Sequence, residues 1–153
     1  MSDKKIEKLT KKAQKAIKKG KLDKAVDFYE EIVGIDPKHR DSWYSMVWAN
    51  VDRGKIEEAI NCLEKVIEME PDNAEHARDL GLLHVKLKDF ETALEWLRKS
   101  AKMNPEDDYT WFQLGAIQNS TGDKMGAKLS WNQAVRVNPD HKEAWESLGY
   151  INA

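Results

Sequence analysis

Along the chain, apolar residues fall at helical spacing in short stretches, as in Trp111, Leu114 and Gly115 running on to Gln118, or Ala93, Leu94, Trp96, Leu97 and Ala101. Recurrence every three or four positions predicts amphipathic helices, each with one apolar stripe. The stripes repeat. Pro37, Pro71, Pro105 and Pro139 are the four prolines, and each step between them is 34 residues. The same step links Ala25, Ala59, Ala93 and Ala127, then Gly81, Gly115 and Gly149, then Gly20 and Gly54 with Gly122 two steps on, and it sets the register of Trp43, Trp111 and Trp145. Four units follow, 6–39, 40–73, 74–107 and 108–141, with a remainder, 142–153, that begins a fifth.

Each unit reads as two helices. Gly20, Gly54 and Gly122 stand where the first helix ends, because a left-handed terminal residue costs glycine little. Lys88 holds that place in the third unit, at some strain. The prolines close the second helix, since proline removes a backbone donor and disfavours helix in the residue before it. Asp72, Asn73, Asp107, Asp108 and Asp140 offer side-chain caps for the helix that follows.

This arrangement resembles the tetratricopeptide repeat: a W-x2-L-G start, a mid-unit Ala and a late Pro read here as Trp111, Leu114, Gly115, Ala127 and Pro139, with Trp145, Leu148 and Gly149 opening the half unit. The first unit departs most, with Leu9, Lys12, Ala13 and Ala16 at the signature places; Val47 and Ala77 depart in the second and third. A pair of helices of this size leaves an apolar face uncovered, so stability must come from stacking neighbours. The resemblance implies an all-α fold of nine helices in one domain spanning 1–153, a right-handed superhelical solenoid with the first helix of every unit lining a concave groove.

In that groove the adjacent aromatics are informative. Neighbouring helix residues point about 100° apart, so Trp43 and Trp111 take the packing seam while Tyr44, Trp48, Tyr109 and Phe112 fall on a second stripe. The groove-facing residues expected to hold a ligand are Tyr44, Trp48, Arg78, Leu82, Tyr109, Phe112, Asn119 and Tyr150. Trp96 and Trp131, on second helices, are expected in the core. Large aromatics at a concave centre are the usual anchors of binding hot spots. Some members of the family grip the C-terminal carboxylates of heat-shock chaperones through Lys, Asn and Arg on first helices. The matching positions here are Thr10, Gln14, Ser45, Glu75 and Asp79, or, one unit along, Tyr44, Trp48, Asp79, Tyr109 and Gln113, so no cationic clamp forms. The expected partner is a peptide or helix with apolar or aromatic side chains and basic residues nearby.

Composition narrows the rest. With 41% hydrophobic and 34% charged residues over 153 positions and a net charge of -2, the chain has the makings of one folded core. Ten lysines against Asp3, Glu7 and Asp23 give residues 1–24 a balance of +7 and leave -9 for the remainder. A solvated polar cap is the simplest reading of that run. Contact with an acidic protein surface, such as the acidic end of another copy, is one alternative, and nucleic-acid contact is another, although single-strand readers interleave aromatics with their cations and this segment has none. Self-association through the face carrying Trp145 and Leu148 is another alternative. The lone Cys62, and the absence from the sequence of a signal-like or membrane-length apolar stretch, point to a reducing, cytoplasmic setting. His39, His76, His84 and His141 lack metal-pair spacing, and no catalytic or phosphate-cradling motif is visible, so the expectation is a non-catalytic protein-interaction scaffold without cofactor or metal.

Overall fold

The structure, a computed structural model, describes residues 2–153. Among the described residues it contains nine α-helices: α1 (Ser2–Lys18), α2 (Leu22–Ile35), α3 (Arg40–Asp52), α4 (Ile56–Met69), α5 (Ala74–Lys86), α6 (Phe90–Met103), α7 (Asp108–Ser120), α8 (Lys124–Val137) and α9 (Lys142–Ile151). The chain divides into two compact units, Met1–Pro71 and Asp72–Ala153. In the first, α1 packs on α2, α2 on α3 and α3 on α4; in the second, the same order runs from α5 to α9.

The punctuation follows the chemistry of each junction. Gly20, Gly54 and Gly122 take positive φ values of 72°, 76° and 94°, and Lys88 alone among the described non-glycine residues joins them, at 60°. Asn73 and Asp107 cap their helices as expected, through His76 N and Tyr109 N. At the starts of α3 and α9 the caps are histidines: His39 Nδ1 accepts from Ser42 N and His141 Nδ1 from Ala144 N. Two of the second helices are capped by aspartate, Asp89 onto Thr92 N and Asp123 onto Gly126 N.

A second periodic device ties the joints. Trp43, Trp111 and Trp145 each donate the indole Nε1 hydrogen to the carbonyl of the proline six residues earlier, Pro37, Pro105 and Pro139, at 2.8, 2.8 and 2.7 Å. Each tryptophan therefore fixes the loop before its own helix as well as adding apolar area. Ala77 holds that register in the third repeat and has no indole to donate.

The seams are close-packed. Leu97, Leu114 and Ile117 form one buried cluster, against which Leu82, Val85, Phe90, Leu94 and Trp111 pack. Ala127, Trp131, Ala134, Val135, Ala144 and Leu148 form the next, with Trp111, Phe112 and Ile151 against it. Trp131 is buried as its place on a second helix predicts, whereas Trp96 is only half-buried and has the Lys99 ammonium 4.9 Å from its ring centre. The signature glycine has a steric reason: a Cβ on Gly115 would lie 2.5 Å from Trp131 Nε1, which donates to Phe112 O. Two polar pairs sit among the buried residues. Ser130 Oγ donates to Gln118 Oε1 at 2.6 Å, and Asn50 Oδ1 accepts from Arg53 Nη1 at 2.7 Å.

Gly115→Ala therefore lowers stability by about 1–3 kcal/mol through overpacking. Gly149→Ala, where nothing lies within 4 Å of the added methyl, raises it by about 0.5–1 kcal/mol through helix propensity. Urea denaturation of the two variants checks the contrast, and equal effects would sink the steric account.

Candidate partner-binding surfaces

In the first unit the exposed chemistry of α3 sits one residue off its seam. Ser42, Met46, Ala49 and Asn50 are buried, which turns Tyr44 and Trp48 outward. Their rings meet edge to face, with centroids 6.1 Å apart and planes at 84°, a favoured aromatic geometry. Trp48 remains 38% exposed. The Arg40 guanidinium lies 4.5 Å from the Tyr44 ring centre and also pairs with Glu70 and Asp41, so the tyrosine is held from one side by a fixed cation. Asp41 and Asp52 are exposed on the same helix, giving this aromatic surface an acidic border. On α1, Lys11, Gln14, Lys15, Ile17 and Lys18 wall an open cavity of about 600 Å³ with Tyr29 of α2.

The second unit places its predicted residues in three settings. Arg78 is a strut: its guanidinium contacts Asp107 at 3.1 Å and Asp79 at 3.4 Å and lies 5.5 Å from the Tyr109 ring centre. Burial pushes the Asp79 carboxyl above its ordinary range, against the pull of the Arg78 charge. Asp107 also takes Thr110 Oγ1 at 2.7 Å and caps α7, so this network orients Tyr109, which stays 44% exposed. Leu82 and Phe112 are packed into the two apolar clusters, and the Phe112 ring lies 4.9 Å from the His141 ring. Asn119 and Tyr150 come together on an open cavity of about 820 Å³ between α7 and α9, floored by Trp131 and Ile151; Tyr150 is 85% exposed. Sequence reasoning missed Lys124, on a second helix, and Ser147 of α9, which also line it.

Chemistry elsewhere is structural. His39 and His141 serve as caps, and His84 Nδ1 sits 3.4 Å from Asp89. Cys62 is buried, 3.8 Å from Asn50 Nδ2, and burial pushes its thiol from an ordinary 9.0 up to about 11. No group of three or more His, Cys, Asp or Glu side chains among the described residues could hold a metal ion, and no described helix is long and apolar enough to cross a membrane.

Models of the tetratricopeptide repeat match residues 9–39 and 44–108. No curated protein matches the chain in sequence. Solved structures match its fold. MamA residues 41 to the end from Desulfovibrio magneticus RS-1 is similar at 20% identity and TM-score 0.84, over 97% of this chain and 84% of that one. A tetratricopeptide repeat protein from Parabacteroides merdae ATCC 43184 is similar at 18% identity and TM-score 0.89, over 97% of this chain and 59% of that one. YrrB, described as a TPR protein with an unusual peptide-binding site, is similar at 22% identity and TM-score 0.77, over 94% and 74%.

The Cys62 environment has a measurable consequence. Because the folded state raises this acid's pKa, the protonated thiol is favoured by folding, and its contribution is complete below about pH 9 and lost as pH rises toward 11. The stability difference between wild type and Cys62→Ala shrinks over that range in pH-dependent melting, and native Cys62 resists a thiol reagent at pH 8 until urea unfolds the chain.

Proposed function

Since the chain belongs to the tetratricopeptide repeat family, we propose that it is a non-catalytic interaction scaffold whose first helices take a peptide or helix from a partner protein, in a reducing, cytoplasmic setting. The observation that carries this reading is Trp48, 38% exposed and set edge-on to Tyr44 on the outward stripe of α3. An exposed indole backed by a half-buried tyrosine is a strong anchor for a partner side chain, and the Arg40 contact already reduces the rotamer freedom of Tyr44. The acidic border of Asp41 and Asp52 favours a partner with apolar or aromatic side chains beside Lys or Arg. In the second unit, Tyr109 beside the Arg78 strut and Tyr150 beside Asn119 are the groups left to meet a ligand. Leu82 and Phe112 act behind them by packing. YrrB supports this reading as a relative of the same fold described by its peptide-binding site.

A second reading is favoured by one observation. Trp145 is 52% exposed, although its counterpart Trp111 is half-buried between two apolar clusters. A second copy covering the indole would bury that area. Sedimentation at increasing concentration then shows a growing dimer fraction that Trp145→Gln abolishes; a strict monomer at high concentration rejects this route.

The main reading is tested by quantitative pull-down from native cell extract with wild type and Tyr44→Ala/Trp48→Ala. The double variant loses the specifically retained protein while its melting curve stays near wild type. Trp111→Ala, by contrast, costs on the order of 3 kcal/mol, because it removes both a packed ring and the bond to Pro105 O. Equal melting losses in the two variants, or undiminished capture by the double variant, would refute the assignment.

A further inference from the structure

The 34-residue register allows each repeat to serve as a control for the next. In the third repeat the space between α5, α6 and α7 is filled: Leu82, Val85 and Phe90 pack against Leu97, Leu114 and Ile117. One period later the floor is retained, as Trp131, Leu148 and Ile151, but the plug is replaced by Ala116, Asn119 and Lys124. These three residues line the cavity of about 820 Å³ between α7 and α9. Lys124 is the sharpest departure, because the other second helices carry Leu22, Ile56 and Phe90 in its place. The cavity is therefore an apolar seam in which large side chains have given way to small and polar ones.

The replacements share a chemistry. Among the described residues no ion pair engages the Lys124 ammonium, and no hydrogen bond engages the Asn119 side-chain amide. The neighbouring Asp123 carboxylate is turned onto Gly126 N as the cap of α8. Ser147 adds a hydroxyl from α9, while Trp131 and Ile151 supply an apolar wall. A cation, an amide and a hydroxyl facing one space suit a carboxylate, and the wall beside them suits a large apolar side chain.

We infer that this cavity is a binding site for a partner segment that places a Glu or Asp side chain beside a large apolar one. It rests on reading the chain as an interaction scaffold, and it adds a recognition site for acidic residues in the second unit. Lys124 lies on a second helix, outside the first-helix positions where the family's carboxylate grip is found.

The test is an NMR titration of the full chain with N-acetyl-Leu-Glu-Phe-amide and, separately, N-acetyl-Leu-Gln-Phe-amide. The acidic peptide shifts the Trp131 indole and Asn119 amide signals and binds about tenfold tighter than its neutral counterpart. Lys124→Gln removes that preference. Ala116→Leu/Asn119→Val/Lys124→Phe, which rebuilds the plug of the third repeat, removes binding of both peptides. Tyr44→Ala/Trp48→Ala leaves the titration unchanged, so failure of the α3 anchors in pull-down and failure of this site are read separately. Equal affinity for the two peptides, no binding of either, or the preference surviving in Lys124→Gln would each overturn the inference. Should the triple variant fold poorly, the exposed Lys124→Gln substitution still decides the matter.

Discussion

Helices of 13 or 14 residues, the length of α2 to α8, are marginal in water on their own. Each must bury an apolar stripe against a neighbour, and this need governs the structure. It explains why Gly115 faces Trp131: a large ring reaches the facing backbone only where the facing residue has no side chain. It also explains why Leu82 and Phe112 are drawn into clusters. The demand for cover competes with the supply of exposed anchors, and it leaves for a partner the side chains one step around the helix.

That step was visible in the sequence. The placing of Trp43 and Tyr44 as neighbours 100° apart separated a seam residue from an outward one, and the indole of Trp43 and the ring of Tyr44 do take different surroundings. The period, the helix pairs, the glycine turns with strained Lys88 and the buried Trp131 were legible for the same reason, since each depends on local geometry or on spacing within one helix.

Other features depended on the folded path of the chain or on which atom of a side chain takes part. The bond from each indole to a proline carbonyl six residues back needs the three-dimensional path of the loop. The caps made by His39 and His141 rely on a ring nitrogen acting as acceptor, which residue type alone does not announce. Arg78 reads from the sequence as a ligand-facing cation, and in the fold it braces Asp79 and Asp107. Lys124 carried a readable signal, its contrast with Leu22, Ile56 and Phe90. That signal lies in the difference between repeats, whereas the search for a repeat attends to what they share.

The bond between indole and proline carbonyl also acts as a ruler. It measures the loop between one helical hairpin and the next, and in all three instances it closes at a separation of six residues. One residue inserted within α7 ahead of Trp111 would turn that indole, and Leu114 with it, by about 100° relative to the start of the helix. These junctions are accordingly the part of the molecule least able to change length, and a repeat of this kind can be gained or lost only whole.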